Sequence, residues 1–155
     1  NLEEAVWRIP AERMKKRVEH VVPLPRQTVE MLKAMHGITG HLKHVFPGRD
    51  DRRAQLSIES MRQMIYKLQW GEKYTPHATR TTGSTRLNEM GYRADWIERQ
   101  LAHAEPNAVR RTYNHADYLE DRRSMMQTWA DMLDAWKKGE GKVVPIGSKA
   151  VEAAA

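Results

Sequence analysis

The chain has 155 residues, of which 40% are hydrophobic and 30% charged, and its formal net charge is +6. This length allows one domain with a real core, and the composition is typical of a globular protein rather than a disordered one. The absence of cysteine excludes disulfides, thiolate catalysis and cysteine metal sites, and fits a reducing cytosol. No apolar run approaches the roughly 20 residues that span a bilayer, so we expect no membrane partner. The positive charge favours an anionic partner such as nucleic acid.

The front of the chain predicts a β-hairpin. Two short β-prone runs, 5–11 and 20–24, are separated by the strongly basic segment ERMKKRVE at 12–19. The basic segment therefore forms the connection between two antiparallel strands.

The middle of the chain predicts two helices with a loop between them. A helical apolar period begins at Arg26, and Gly37 is a candidate stop for this helix. Residues 36–55 read as a loop that turns at Pro47 and Gly48. Ser57 is then a candidate N-cap for the second helix.

The remaining segments are also helical. Residues 74–92 predict a helix that ends at Gly91, and residues 93–103 are amphipathic. A long last helix is predicted over 117–136, followed by a linker and mobile tail at 137–155. The fold class is therefore mainly α with a small antiparallel β-hairpin (α+β).

A few polar residues could carry chemistry. They are Lys15 and Lys16 in the hairpin connection, His77, Arg80, His103 and Tyr113. Taken singly, each has a simpler explanation as a surface charge, a helix cap or a half-buried core tyrosine. Together they fit attack on a phosphodiester, which needs a nucleophile, cationic donors for the nonbridging oxygens and an acid for the departing oxygen. No accompanying carboxylate cluster of the Mg²⁺-binding kind is present, so the mechanism we expect uses no metal and no cofactor.

Three nearby histidines raise the alternative of a metal site. His36, His41 and His44 fit neither one helix face nor a familiar zinc pattern, and no cysteine completes the set. We therefore predict no metal site.

Several blocks of the sequence resemble the tyrosine recombinases, in the branch of prophage and genomic-island integrases. The blocks are WRIPAERMKKRVEHVVPL at 7–24, PHATRTTGSTRLNEMGYRADWIERQLAH at 76–103 and YNHADYLEDRR at 113–123. They occur in the family's order, and the resemblance runs from about residue 7 to residue 136. It implies the DNA breaking-rejoining catalytic fold, with a catalytic domain fragment at 1–136.

The resemblance also implies a reaction. Tyr113 would attack the DNA backbone and form a 3′-phosphotyrosyl bond, leaving a free 5′-hydroxyl. Attack by a partner strand's 5′-hydroxyl would rejoin the DNA, so that the chain acts in prophage or island integration and excision. His77 and Arg80 match the family's His-x-x-Arg pair, and His103 the position held by histidine or tryptophan. Lys15, with Lys16 as the alternative, matches the lysine that protonates the leaving oxygen.

Further expectations concern DNA and partners. Arg110, Arg111, Lys16 and Arg17 are candidate contacts to the DNA backbone. The resemblance implies double-stranded attachment-site DNA, a homo-tetramer on that DNA, an excisionase and a DNA-bending host factor, in the bacterial cytoplasm at the nucleoid. The run KVVPI at 142–146 is a candidate strand for addition to its own sheet or to a neighbouring protomer's.

Two departures from the family pattern matter. Ala78 and Thr79 stand inside a motif that usually reads HGFR. The family's other catalytic arginine, from an R-x-x-E segment upstream of the hairpin, has no match before Lys15, and Arg8 and Arg13 are no substitutes. We therefore expect a fragment truncated at its N-terminal side, impaired by about 10²–10³ in rate.

Two alternatives remain open. One is a non-catalytic DNA-binding relic or regulator with the same fold, against which the intact set of candidate catalytic residues argues. The other is a type IB topoisomerase-like enzyme, over which the blocks IERQLAH and YLEDRR favour an integrase.

Overall fold

The structure is a computed structural model that describes residues 1–71, 73–103 and 117–140. Within these ranges it contains a two-stranded antiparallel sheet and five α-helices. The strands are β1 (Val6–Ile9) and β2 (His20–Pro23), and the helices are α1 (Arg26–Thr39), α2 (Ile58–Lys67), α3 (Pro76–Glu89), α4 (Ala94–Gln100) and α5 (Leu119–Lys137). The predicted class, mainly α with a small β-hairpin, is confirmed.

The hairpin is built as the sequence predicts. β1 and β2 pair in a register that sets Val6 opposite Pro23 and Ile9 opposite His20. Val6, His20 and Pro23 are buried, so one face of the ribbon packs against the rest of the protein. The connection begins with a single 3₁₀ turn at Ala11–Arg13, Met14 is half-buried, and residues 15–19 are exposed.

The prediction that α1 stops at Gly37 is wrong. The helix continues through Gly37 to Thr39, and Gly40 is its C-cap. The Thr39 hydroxyl is hydrogen-bonded to the carbonyls of Met35 at 3.0 Å and Val45 at 2.9 Å. The chain therefore turns where a buried threonine holds the returning loop, and that contact cannot be read from local sequence.

The next segment matches the prediction more closely. A short bridge joins Pro47 to Gln55 around the predicted turn, and Gly48 N donates to Ala54 O at 2.8 Å. Ser57 caps α2, since its hydroxyl accepts a hydrogen bond from Ser60 N at 3.0 Å. The large apolar side chains of α2 and the turn after it are mostly exposed.

The core lies where α3, α4 and α5 meet. Leu87, Ile97 and Met125 are almost fully buried there, one from each helix. The partly buried side chains packed against them are Tyr92, Trp96, Leu101, Met126 and Trp129. Among the described helices, none combines the length and the apolar character that a membrane crossing requires.

The end of α3 is a Schellman motif at the predicted Gly91. Gly91 has a φ of 80°, its N–H donates to Asn88 O at 3.0 Å, and Tyr92 N–H donates to Leu87 O at 3.1 Å. These are the two hydrogen bonds that define the motif, and Tyr92 then joins the core. The motif turns the chain back so that α4 packs beside α3.

Candidate active site

Helix α3 carries two of the predicted catalytic residues, His77 and Arg80, in its first turns. Thr75 caps the helix by accepting a hydrogen bond from Ala78 N at 3.2 Å, and Pro76 occupies the first helical position. His77 and Arg80 are three residues apart and share a face, and both are exposed. Thr79 is also exposed, and its hydroxyl donates to Pro76 O at 2.5 Å, within the same turn.

Arg80 is tied to the end of α4. Its guanidinium donates a hydrogen bond to the Leu101 carbonyl, which lies at the C-terminus of α4, where helix carbonyls need partners from outside the helix. Ala102 follows with a φ of 54°, in the left-handed region that is costly for a residue with a side chain. This turn leads directly to His103. The structure thus brings Arg80 and the turn that carries His103 into contact.

His103 is oriented by a carboxylate. Its Nδ1 lies 2.6 Å from Glu98 Oε2, and its backbone N–H donates to Glu98 O at 3.0 Å. A carboxylate on Nδ1 favours the tautomer with a proton there, so Nε2 is the nitrogen through which the ring would act. Sequence reasoning missed Glu98. Glu98 lies within α4 and His103 lies beyond its end, so the helical period does not predict that the two side chains meet.

The predicted cations of the hairpin connection are all exposed. Lys15 and Lys16 follow the 3₁₀ turn, and Arg17 has a φ of 54° with its N–H donating to Met14 O at 3.0 Å. Within the described residues, neither lysine forms a hydrogen bond or ion pair with Arg80 or His103, at the corner where the start of α3 meets the end of α4. The connection is thus a cationic tip on the hairpin.

A buried arginine of α5 joins the hairpin to α4. Arg122 is only 1% exposed and donates to Val21 O at 2.6 Å, to Gln100 Oε1 at 3.0 Å and to Asp117 O at 3.1 Å. Burial, together with the neighbouring Arg99 cation, lowers the pKa of Arg122 to about 10. This arginine was not among the predicted site residues. A signal exists, because position 122 lies on the same helical face as positions 125, 126 and 129, which pack in the core.

His20 lies beside this arginine. Its ring is 7% exposed, and Nε2 lies 3.3 Å from the carbonyl oxygen of Gln100. Burial lowers the pKa of His20 below its ordinary value, and the Arg122 and Arg99 cations act in the same direction. A neutral ring that donates its Nε2 proton to Gln100 O fits this setting.

Three predicted residues lie outside the described residues. They are the candidate nucleophile Tyr113 and the candidate DNA contacts Arg110 and Arg111. The candidate strand at 142–146 also lies outside them. Among the residues that the structure describes, no group of three histidine, aspartate or glutamate side chains is arranged as metal ligands would be.

Comparison with known proteins agrees with the resemblance. Residues 1–120 match the model of the phage integrase family. Prophage integrase IntZ of Escherichia coli strain K12 is 46% identical over 142 residues, which are 91% of this chain and 35% of that protein. Prophage integrase IntA of the same strain is 39% identical over 133 residues, 86% of this chain and 32% of the relative.

A phage protein gives the same picture. The integrase of Shigella phage Sf6 is 40% identical over 135 residues, which are 86% of this chain and 35% of that integrase. The chain therefore spans about a third of the length of these curated relatives. No solved structure matches the chain. The family model covers well over half of the chain's residues, and the fold of the chain has the helix-rich form with a small hairpin that the resemblance implies. The chain therefore belongs to the phage integrase family of tyrosine recombinases.

Proposed function

We propose that this chain carries the chemistry of site-specific DNA recombination, in which a tyrosine cleaves one DNA strand and the same site later rejoins it. The observation that carries the proposal is the corner formed by α3 and α4. There Arg80 is held on the Leu101 carbonyl, and His103, two residues further, is held on Glu98. A fixed cation and a fixed imidazole thus lie at one exposed corner of the protein.

The corner suits the charge that develops on a phosphate under attack. A guanidinium has five N–H donors, so Arg80 keeps donors for phosphate oxygens after its bond to Leu101. His77 shares its helix face and is exposed, so both can reach one anionic group. The carboxylate on Nδ1 prepares His103 to donate or receive a proton through Nε2. Donors held in advance of the reaction stabilise a transition state without reorganising.

The reaction that we propose is balanced without a co-reactant. The Tyr113 oxygen forms a bond to phosphorus, the bond from phosphorus to the 5′-oxygen breaks, and the phenol proton passes to the solvent, which later reprotonates the lysine. Lys15 or Lys16 supplies a proton to the departing 5′-oxygen. Religation reverses these steps, when a 5′-hydroxyl attacks the phosphotyrosine. Cleavage exchanges the phosphodiester for a phosphotyrosyl ester and religation exchanges it back, so no ATP is consumed.

Partners and organisation follow the same proposal. The substrate is double-stranded attachment-site DNA, and the exposed tip with Lys16 and Arg17 is a suitable contact to its backbone. We further propose a homo-tetramer on DNA, an excisionase and a DNA-bending host factor, acting at the bacterial nucleoid. Residues 1–136 would form the catalytic part and 137–155 the linker and tail. The family's additional catalytic arginine is not identified in this chain, and its absence would slow cleavage.

The test is the covalent intermediate. We would place this chain in the matching third of the 46%-identical Prophage integrase IntZ and incubate it with nicked DNA carrying that prophage's attachment site. The chain by itself is run in parallel. We expect an SDS-resistant protein–DNA band that disappears in Tyr113→Phe, with DNA affinity within about twofold because the change removes only the nucleophile.

The other outcomes separate the alternatives. A band that persists in Tyr113→Phe would identify another nucleophile. DNA binding without a band in either protein would favour the non-catalytic relic. Relaxation of a single supercoiled plasmid without joining of two DNA partners would favour the type IB topoisomerase-like enzyme.

A further inference from the structure

We propose that Arg122 is a positioning residue for the recombination reaction: its buried guanidinium fixes the relative placement of β2, the end of α4 and Asp117, which adjoin the candidate catalytic groups. This inference rests on the proposed function, in which Lys15, Arg80, His103 and Tyr113 act on one phosphate. Arg122 itself is enclosed in the protein and would touch neither DNA nor the reacting atoms.

Each hydrogen bond of Arg122 reaches a different part of the candidate site. Val21 O belongs to β2, the strand that ends the hairpin carrying Lys15. Gln100 Oε1 belongs to the last residue of α4, next to the carbonyl that accepts from Arg80 and three residues before His103. Asp117 O lies four residues after Tyr113 in sequence. One planar group thus connects the strand that follows the lysines, the helix end beside the Arg80–His103 corner, and Asp117.

The energetics favour a geometric role over simple stabilisation. Arg122 lies on a helix face whose neighbours Met125, Met126 and Trp129 are packed in or against the core, where an apolar side chain would avoid the cost of burying a charge. Its three acceptors are two backbone carbonyls and one amide, so none offsets the charge as a carboxylate would. The nearby carboxylate of Asp117 is hydrogen-bonded to Arg99, and it raises the pKa of Arg122 by less than burial and the Arg99 cation lower it. What the guanidinium provides here, and an apolar residue cannot, is direction to three acceptors at once.

The adjacent Arg123 offers a matched control. It also lies on α5 and also donates to backbone carbonyls, those of Glu4 and Ala5, both at 3.3 Å. It is partly exposed and pairs with Glu120 at 3.5 Å. These carbonyls belong to residues that precede β1. Arg123 therefore shares the chemistry and the helix of Arg122, and lacks the connection between α4 and the hairpin.

The first experiment measures local opening in the 155-residue chain by amide hydrogen exchange. Arg122→Met fills the apolar face, and Arg122→Lys keeps the charge without the planar fork. We expect both to speed exchange at residues 20–22 and 100–103 by about tenfold or more, with α1 changed less than about twofold. Arg123→Met should leave 100–103 unchanged. A uniform increase along the chain, or no increase at 100–103, would overturn the inference.

The second experiment measures cleavage in the chimeric integrase at saturating DNA. We expect Arg122→Lys to lower the single-turnover rate of adduct formation about tenfold or more with DNA affinity unchanged, because misplaced groups lose transition-state stabilisation rather than binding. Arg123→Met should keep its rate within about twofold of the unsubstituted chimera. Equal losses in both variants, or a loss that appears in affinity alone, would overturn the positioning role. If the unsubstituted protein forms no adduct, the proposed function fails, and the exchange experiment still decides whether Arg122 fixes these segments.

Discussion

Met125→Ala tests where the core of this protein lies. Met125 is fully buried between Leu87 of α3 and Ile97 of α4, with aromatic rings packed around this cluster. Truncation leaves a cavity that side chains from three helices cannot easily fill. Large-to-small changes of this kind cost about 2–5 kcal/mol, and the enclosure here points to about 3–4 kcal/mol. That is a large share of the roughly 5–15 kcal/mol that holds a domain folded.

Urea unfolding of the 155-residue chain would measure this cost. With a slope of about 2 kcal/mol per molar, the midpoint should fall by about 1.5–2 M. Met64→Ala is the matched control, because it makes the same chemical change on α2 at a side chain that is 54% exposed. We expect it to alter stability by less than about 0.5 kcal/mol. Similar shifts for the two variants would refute the assignment of the core to the junction of α3, α4 and α5.

Three further predictions concern DNA, pH and proton transfer. Replacing Arg110 and Arg111 by glutamine should weaken DNA binding and reduce the slope of log affinity against log salt by about one for each phosphate that is no longer neutralised; an unchanged slope would contradict their role. Because burial holds the pKa of His20 below 6.5, the unfolded chain binds protons more readily, so stability should fall below about pH 6.5 by at most about 1.4 kcal/mol per pH unit. In His20→Gln the denaturant midpoint should not show this fall between about pH 7.5 and 5.5. An identical fall in this variant would contradict the role of His20. One of the two variants Lys15→Ala and Lys16→Ala should cleave slowly, because it lacks the acid that protonates the leaving oxygen. That variant should regain its cleavage rate on DNA in which sulfur replaces the leaving 5′-oxygen. If neither variant regains its rate, the acid lies elsewhere.

The features that sequence predicted well depend on local signals. The hairpin follows from two β-prone runs around a polar connection, Ser57 caps a helix through a neighbour three residues on, and Gly91 takes a conformation that suits glycine. Each of these requires only residues that are close in the chain. Placement of His77 and Arg80 on one helical face has the same origin.

The features that sequence missed depend on contacts between distant segments. Gly37 was expected to end α1, but the helix ends where Thr39 bonds to Val45. Arg122 sits in an arginine doublet that looks like surface charge; the helical period places it on the core-facing side of α5, but its partners on β2 and α4 come only from tertiary packing. The Glu98–His103 pair forms because the chain turns at the end of α4. Tertiary packing decided each of these cases.

The hydrogen bond from Arg122 to Val21 has a consequence for biosynthesis. It joins residues 101 positions apart, so it can form only after α5 has begun to leave the ribosome. At about 5–20 residues per second, the hairpin waits about 5–20 seconds for this partner. Tyr113 is also synthesised before residue 122. A nascent chain would thus carry its proposed nucleophile before it has the alignment that we propose for cleavage, and the proposed capacity to cut DNA would arrive only after α5 has been made.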